Sequence, residues 1–432
     1  IEPVQAFLRV RSLGNAFIIS GVHGDGVSYV GAGPTKRISG TKARTTVKDS
    51  SGGSSEVSMD PLEYISEELN NIRIDSTLPF PFIGGAVGFI SYAASAFESH
   101  SEFGIYDNVY AYDHNIKKGF LISVSTNGEM DEVINARLSD GAADELPCPL
   151  RSLSSQVSSN TTKEEYIDSV NKALELIRDG EIYQVNLTQS LTAKLEGDPF
   201  SLFLELSRNT PSRFTSFIET EELKIICNSP ERLFKVSSGW VETEPIKGTR
   251  PRGNDKVTDE FFMKELMESE KERAEHVMIT DLERNDIGKI SRTGTVHVKD
   301  FMRIESYPAL HHMVSTVRGL LRDGLSTPLA LKEFLPGGSV TGTPKIRATE
   351  VIKELENFER GIYTGGIGWM GYGGGAELTM AIRTAVIKDD VMTLGVGSGI
   401  VIDSDPAQEY EETLLKANDF LTALGVNAKT IS

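Results

Sequence analysis

The clearest periodicity of apolar and polar positions along the chain begins just after residue 160. Thr162 and Glu165 have the spacing of a capping box, which marks the first turn of a helix. Apolar side chains then recur at helical spacing, namely Ile167, Val170, Leu174 and Ile177. Gly180 follows at a position where helices commonly end. The pattern predicts an amphipathic helix from residue 163 to about residue 179.

A period of two residues predicts strands after this helix and near the end of the chain. Residues 182–191 alternate between two faces, one with Tyr183, Val185 and Leu187 and the other with Gln184, Asn186 and Thr188. Residues 377–387 and 391–402 read as two strands around a turn at 388–390. Together the patterns indicate an α/β or α+β protein and leave its topology open.

Two polar stretches divide the chain. Residues 45–58 are rich in Ser and Gly and predict an exposed loop. Residues 140–162 mix Pro, Ser and Asn and are the better candidate for a boundary. We therefore expect an N-terminal region of residues 1–150 and a second region of residues 160–428.

Composition and charge narrow the class of protein. The chain has 44 Lys and Arg against 62 Asp and Glu, a formal charge of −18, and such an acidic surface repels nucleic acid and anionic membranes. Cys148 and Cys227 lie outside any metal-binding spacing, and the sequence shows neither a bilayer-spanning apolar run nor a signal-peptide pattern. We expect a cytoplasmic protein, in which local cations or a metal must hold any anionic substrate.

Glycine-rich strings do not support a nucleotide site. Residues 338–345 lack the Gly-Lys-Ser/Thr ending of a phosphate-binding loop. Residues 395–399 are one residue short of the dinucleotide fingerprint and fall inside a strand pattern. The zinc-protease motif HExxH and the serine-hydrolase motif GxSxG are absent from the sequence.

Two acidic clusters have helical spacing. In a predicted helical stretch over residues 258–280, one face carries Glu268, Glu272 and Glu275. A last helix, predicted from the N-cap Asp405 through Pro406 to just before Gly425, carries Glu409, Glu412 and Lys416 on one face. Like charges at these spacings repel, and a hard cation such as Mg²⁺ would offset the repulsion. Solvated helix faces are the alternative interpretation.

Three further residue types are candidates for proton transfer or nucleophilic attack. Glu231 follows Pro at the end of an apolar strand, where partial desolvation would let it donate a proton. Lys247 lies between Ile and Gly, and a desolvated lysine beside cations can act as a nucleophile. His311 and His312 are adjacent, so at most one of them is expected to be functional. Taken alone, the spacing favours ordinary surface residues for Glu231 and Lys247 and structural residues for the histidines.

Taken together, these strings resemble the chorismate-utilising enzymes, a family that includes anthranilate synthase component I, aminodeoxychorismate synthase component I and the isochorismate and salicylate synthases. The segments that carry the resemblance are IYQVNLTQ (182–189), SPERLF (229–234), EPIKGTRPRG (244–253), EHVMITDLERNDIGKI (275–290), HHMVS (311–315), LPGGSVTGTPKIRA (335–348), GIYTGGIG (361–368), MAIRTAV (380–386) and GVGSGIVIDSDP (395–406). FIGGAVGFISY (82–92) agrees more loosely. The resemblance implies two antiparallel β-sheets packed face to face with helices outside.

The resemblance also implies roles for the candidate residues. The implied Mg²⁺ ligands are Glu275 and Glu412, with Glu272 and Glu409 as nearby water-binding carboxylates. The residues implied to hold the enolpyruvyl carboxylate of chorismate are Tyr363, Arg383 and the amides near Gly397 and Gly399, with Lys416 and Lys345 as weaker candidates. His312 corresponds to a histidine near the ring, and Glu231 to the general acid that helps the 4-hydroxyl leave.

Three positions distinguish the subfamilies. Gln184 stands where isochorismate and salicylate synthases place a lysine base, which argues against direct addition of water. Lys247 occupies the PI-x-GT position, where aminodeoxychorismate synthases commonly have lysine and anthranilate synthases alanine. Thr341 agrees with this choice. The implied activity is amination of chorismate to 4-amino-4-deoxychorismate through a covalent Lys247 intermediate, for p-aminobenzoate and folate synthesis. Anthranilate synthase component I is the alternative.

The resemblance predicts a partner as well. Because the sequence shows no fused glutaminase domain, ammonia is expected from a separate glutamine amidotransferase subunit. The residues from 17 to 21 read Phe-Ile-Ile-Ser-Gly, whereas the family's tryptophan-binding element often reads Leu-Leu-Glu-Ser. This departure argues against a regulatory tryptophan site.

Overall fold

The computed structural model describes residues 1–22, 26–72, 74, 78–92, 100–124, 128–140, 147, 149, 151–152, 157–308, 310–426 and 431. Its helices, α1 to α10 in chain order, are Pro3–Val10, Pro61–Asn70, Gly128–Ser139, Lys163–Arg178, Phe200–Asn209, Lys256–Glu268, Glu270–Ile290, Thr327–Phe334, Lys345–Leu355 and Pro406–Ala423. Strands β1 to β12 are Phe17–Ser20, Val27–Gly31, Lys36–Thr41, Arg44–Asp49, Ser54–Val57, Gly85–Ile90, Ser101–Tyr106, Asn108–Asp113, Lys118–Ser123, Arg151–Ser152, Ser158–Ser159 and Gln184–Glu196. Strands β13 to β24 are Phe214–Glu219, Lys224–Ser229, Arg232–Ser237, Trp240–Glu244, Ile246–Pro251, His297–Ser306, Leu310–Leu320, Gly342–Thr343, Gly366–Gly371, Ala376–Met380, Thr384–Lys388 and Val391–Ile400.

The strands form two sheets, and the pairings within them are antiparallel. The first sheet has the order β10-β12-β24-β23-β14-β13-β1-β2-β8-β9, with β11 and β20 also paired to β12. The second has the order β17-β19-β16-β15-β22-β21-β6-β7-β3-β4-β5, with β18 paired to β19. Strands from the first 150 residues thus lie beside strands from much later in the chain in both sheets.

An aromatic core lies between the two sheets. Phe17 and Tyr29 from the first sheet meet Phe89 and Trp369 from the second in one buried cluster, to which Phe82 also belongs. On the outer face of the first sheet, α1, α5 and α10 cover a second cluster, and α2, α7 and α8 cover the outer face of the second sheet. The predicted fold of two face-to-face antiparallel sheets with helices outside is confirmed.

Helices with strong local end signals lie where the sequence predicts them. In α4, Thr162 and Glu165 make the reciprocal bonds of a capping box, and Gly180 takes a φ of 77° just beyond the helix. In α10, the Asp405 side chain accepts a hydrogen bond of 2.9 Å from the backbone N–H of Gln408. Both helices are therefore fixed by residues within one turn of their ends.

Three predicted elements are wrong, and the first two lie in the stretches 45–58 and 258–280. Residues 45–58 do not form a loop, because β4 and β5 pair there from Thr45 with Val57 to Lys48 with Ser54. The stretch 258–280 is not one helix, because Ser269 is extended and caps α7 after α6 has ended. Glu268 therefore belongs to a different helix from Glu272 and Glu275.

The strand predicted over residues 377–387 is two strands in different sheets. The chain leaves β22 of the second sheet at Met380 and enters β23 of the first sheet at Thr384. Arg383 lies in this crossing with a φ of 48°. A second crossing joins β14 of the first sheet to β15 of the second at residues 230–231. These two crossings lie side by side and place the candidate site.

Part of the stretch 140–162, including Cys148, lies outside the described residues, and the division into regions 1–150 and 160–428 stays a prediction. Among the described helices, we find none with a stretch long and apolar enough to cross a membrane.

Candidate active site

Glu231 lies in the crossing from β14 to β15 and is 7% exposed. Its backbone carbonyl accepts hydrogen bonds from the N–H of Met380 at 3.0 Å and the hydroxyl of Thr379 at 2.8 Å, which tie the two crossings together. The Ser339 hydroxyl donates to its Oε1 at 2.6 Å. Burial raises the pKa of Glu231 to about 7, against the opposing charge of Lys247. The carboxyl group can therefore hold a proton near neutral pH.

Lys247 and Gln184 converge on Gly399 of β24. A Cβ atom added to Gly399 would lie 3.1 Å from Lys247 Nζ and 2.9 Å from Gln184 Nε2. The register of β17 against β19 shifts between Ile246 and Thr249, and this bulge contains Lys247. Gln184 is 1% exposed, and neither of its amide atoms has a hydrogen-bond partner among the described residues. A buried unpaired amide beside an amine marks a place for a polar ligand.

Along residues 395–400, the edge of β24 that faces away from β12 has no strand partner among the described residues, and we call it the free amide edge. Pairing of β23 with β24 ends at Ala385 and Leu394. On the other side, the N–H groups of Asn186 and Thr188 point away from β24, to Thr341 O at 2.8 Å and Glu356 Oε1 at 2.9 Å. In an antiparallel ladder, the residues opposite them, Gly399 and Gly397, then turn their amides away from β12. These two amide groups can receive an anion.

Arg383 and His312 lie near one another beside this edge. No described carboxylate lies within salt-bridge distance of the Arg383 guanidinium. Burial lowers the pKa of this group. An arginine keeps its charge even then. Burial and the charge of Arg383 lower the pKa of His312 to about 4, so the imidazole is neutral. Its Nδ1 lies 2.9 Å from the Thr249 hydroxyl. His311, in contrast, pairs with Asp259 at 2.9 Å, away from Arg383.

Tyr363 packs against the same strand. A Cβ on Gly395 would lie only 2.2 Å from Tyr363 Cγ, so glycine is required for the ring to lie flat against β24. Burial raises the pKa of the Tyr363 hydroxyl. The phenol therefore remains protonated and able to donate a hydrogen bond.

Carboxylates from α7 and α10 surround Lys247. Burial and the charges of Glu272 and Glu409 raise the pKa of Glu275, while Lys247 acts against this rise. On α10, Glu412 lies 2.7 Å from Lys416. Burial would raise the pKa of Glu412, but the charges of Lys416 and Lys247 outweigh it and lower the pKa.

The donor set fits a hard cation. In the described residues, no three or more His, Cys, Asp or Glu side chains are arranged to hold a metal by themselves. Mg²⁺ needs no such cage, because it commonly takes one or two carboxylates and completes its shell with water and substrate oxygens. Glu275 of α7 and Glu412 of α10, both close enough to Lys247 for its charge to act on them, could supply these carboxylates.

The remaining candidates contribute less directly. Lys416 Nζ donates to the carbonyl of Gly397 at 2.9 Å, beside the free amide edge. The Thr341 hydroxyl donates to the carbonyls of Gly337 and Gly338 at 3.0 and 3.1 Å, so it stabilises its own loop. Lys345 pairs with Asp286 and is not free for a substrate anion.

Two residues that contact the site were not singled out from the sequence. Ser339 donates to Glu231, and Thr249 contacts His312. Both lie inside segments that carry the family resemblance, which is the only signal that points to them. A lone Ser or Thr has no spacing pattern that predicts such a contact.

Known proteins are similar to this chain over most of its length. A family model described as chorismate binding enzyme matches residues 15–422. The anthranilate synthase component 1 of Acetivibrio thermocellus is 34% identical, over 98% of this chain and 92% of that protein. The aminodeoxychorismate synthase component 1 of Bacillus subtilis (strain 168) is 34% identical, over 93% of this chain and 89% of that protein. The crystal structure of anthranilate synthase component I from Streptococcus pneumoniae TIGR4 has a TM-score of 0.76 at 30% identity, over 91% of each chain.

Relatives named for two reactions thus match equally well at 34% identity. The family model covers nearly the full chain, from residue 15 to residue 422. The site brings together a buried acid, an amine, outward-facing backbone amides and an arginine without a described carboxylate partner, which are groups that can bind carboxylates and transfer a proton. The chain therefore belongs to the chorismate-binding enzyme family and is a chorismate-utilising enzyme.

Proposed function

We propose that this enzyme aminates chorismate at ring position 4 and forms 4-amino-4-deoxychorismate for p-aminobenzoate and folate synthesis. The observation that supports this reaction is the position of Lys247. Its Nζ lies 3.1 Å from the Cβ position of Gly399, beside the free amide edge, and its charge acts on Glu231. A candidate nucleophile thus lies close to a carboxyl group that can hold a proton.

Substrate binding uses the cations and amides of the site. The Arg383 fork, the Tyr363 hydroxyl and the amides of Gly397 and Gly399 bind the enolpyruvyl carboxylate. The neutral imidazole of His312 lies near the ring. Glu275 and Glu412, with Glu272 and Glu409 nearby, would hold Mg²⁺, which when bound supplies positive charge for the ring carboxylate.

In the first step, the Lys247 ammonium group releases its proton to water, and the resulting amine attacks ring position 2. The ring double bond shifts, the bond from position 4 to its hydroxyl breaks, and the hydroxyl leaves as water with the proton of Glu231. In the second step, ammonia attacks position 4, the double bond shifts back, and Lys247 leaves as a neutral amine. The proton lost by the new amino group returns to Glu231, so chorismate and ammonia give the product and water.

The partner in this proposal is a separate glutamine amidotransferase. The relatives that match nearly the whole chain are named component 1, which is consistent with a second component that supplies ammonia. In this proposal, the enzyme and its partner act together in the cytoplasm.

The test is the product formed from chorismate, ammonium chloride and Mg²⁺. Anthranilate is aromatic and fluorescent, whereas aminodeoxychorismate is neither, so chromatography with fluorescence detection separates the two outcomes. Abundant anthranilate would replace the proposed reaction by that of anthranilate synthase component I.

A second experiment tests the role of Lys247. Without ammonia, mass spectrometry should find chorismate minus water on the peptide that contains Lys247. Lys247→Ala should lose the adduct and most amination, while Lys264→Ala, an exposed lysine with 73% of its side chain accessible on α6, should retain both. An unmodified Lys247 together with normal amination by Lys247→Ala would remove the nucleophile from the mechanism.

A further inference from the structure

A second buried carboxyl group, Glu283 of α7, lies directly behind Glu231. Glu283 is 2% exposed. Ser339 joins the two groups, since its hydroxyl donates to Glu231 Oε1 at 2.6 Å and its backbone N–H donates to Glu283 Oε1 at 3.2 Å. Glu283 Oε2 has no hydrogen-bond partner among the described residues. The proposed reaction does not use this residue.

The charges around Glu283 favour its neutral form. Asp286 lies one turn further along α7 and forms ion pairs with two lysines. One is Lys345, and the other is Lys289, which donates to Asp286 at 2.9 Å. Lys345 Nζ also donates to the carbonyl of Pro336 at 2.6 Å. Burial and the charge of Asp286 raise the pKa of Glu283, while Lys345 acts against this rise. Glu283 therefore lies beside a cation that is already paired.

The two carboxyl groups affect each other. A buried carboxylate without a cation of its own is strongly disfavoured and takes up a proton instead. A negative charge on either group also raises the pKa of the other. Lys247 and Lys416 favour the ionised form of Glu231, whereas Asp286 disfavours that of Glu283. A single proton in the pair therefore belongs on Glu283.

We propose that Glu283 is a positioning residue for the proton donor: a permanently protonated carboxyl group that, through Ser339, holds Glu231 in place and leaves the Glu231 proton free to be given away. This inference rests on the proposed function, because it presumes that Glu231 donates a proton. If Glu283 were ionised, its charge would keep the proton on Glu231 and make it a weaker acid. The ion pair of Asp286 with Lys345 prevents this by engaging the lysine.

Five proteins test the proposal by infrared titration of protonated carboxyl groups: the wild type, Glu283→Gln, Asp286→Asn, the double variant of these two, and Glu231→Gln as the reference. Subtraction of the Glu231→Gln spectrum identifies the Glu231 band. In the wild type, one protonated carboxyl band that Glu283→Gln lacks should persist above the pH at which Glu231 ionises. Gln keeps an acceptor for the Ser339 N–H, so the loss of this band does not require a change of fold.

Asp286→Asn should release Lys345 to pair with Glu283 and ionise it. The new charge should raise the titration midpoint of Glu231 by about 2 to 3 pH units, the size expected for two charges about 4 to 7 Å apart at an effective dielectric constant of about 20. Adding Glu283→Gln should abolish this rise, and the unpaired Lys345 should hold the midpoint at or below that of the wild type. A merely structural glutamate would not produce this reversal.

The outcomes separate the inference from the proposed function. Equal Glu231 midpoints in Asp286→Asn and the double variant, or no difference between the carboxyl bands of the wild type and Glu283→Gln, would overturn the role of Glu283. Should Asp286→Asn not fold, the comparison of the wild type with Glu283→Gln still decides. Normal amination by Glu231→Gln would instead refute the role of Glu231, whatever the titrations show.

Discussion

Replacement of Glu231 by Gln should stabilise the folded protein, and increasingly so as the pH rises. Burial raises the pKa of this carboxyl from 4.5 to about 7 in the folded chain. Between these values the unfolded chain has released the proton and the folded chain retains it. Because the folded state binds more protons there, the free energy of unfolding of the wild type falls as the pH rises.

The size of the effect follows from the shift. A change of one pKa unit corresponds to about 1.4 kcal/mol, so the shift of Glu231 corresponds to about 3 kcal/mol. Glutamine has nearly the same shape, accepts the Ser339 hydroxyl and does not titrate. The difference in free energy of unfolding between Glu231→Gln and the wild type should therefore be small at pH 4 and reach about 3 kcal/mol in favour of the variant at pH 8.

Urea unfolding of both proteins at fixed ionic strength measures this difference at each pH. Glu164→Gln, at an exposed position on α4, serves as the control, since its difference from the wild type should not change in this way. A pH-independent difference for Glu231→Gln would refute the reasoning, because it would mean that the carboxyl ionises alike in the folded and unfolded chains. A proton donor that weakens its own fold is common at active sites.

Four further outcomes are expected. Glu412→Gln should lose Mg²⁺-dependent amination, while Glu411→Gln, whose side chain pairs with Lys163 at 2.6 Å, should keep it; full activity of Glu412→Gln in EDTA would exclude the metal role. Arg383→Lys should raise KM for chorismate about tenfold, since a point charge replaces a two-pronged donor, and an unchanged KM in steady-state assays would contradict this. The purified chain should use ammonium salts but not glutamine, which an assay with each nitrogen source checks; turnover with glutamine alone would argue against a separate partner. Tryptophan should not inhibit, because residues 17–21 read Phe-Ile-Ile-Ser-Gly and depart from the tryptophan-binding element of the family; inhibition in a titration would contradict this.

The sequence predicts well those features that depend on residues close together in the chain. The ends of α4 and α10 depend on Thr162, Gly180 and Asp405, each of which acts within one turn. The break at Ser269 is also a local cap, but it was concealed by strong helix formers on both sides. The crossing at residues 381–383 was missed because the two halves of the stretch differ only in the strands they pair with, and those lie far away in the sequence.

The candidate site shows the same division. Side-chain types and spacing, together with the family resemblance, are enough to suggest Lys247, Glu231 and the carboxylates of α7 and α10. The relation of Glu231 to Ser339 and Glu283 depends on burial and on three distant segments that meet. No periodicity encodes such a meeting, so only the folded chain reveals it.

The strand order of the two sheets has a consequence for how this chain emerges from the ribosome. Phe17 of β1 pairs with Ile218, and Gly85 of β6 pairs with Gly371. About 200 to 290 further residues must be synthesised before each of these early strands can meet its later partner. At ordinary rates of translation this takes about 10 seconds to a minute. Although β2 and β7 cover one edge of these strands early, the other edge of each has no native neighbour during that interval and can pair with another chain. The nascent protein should therefore depend on chaperones until its last third has been made.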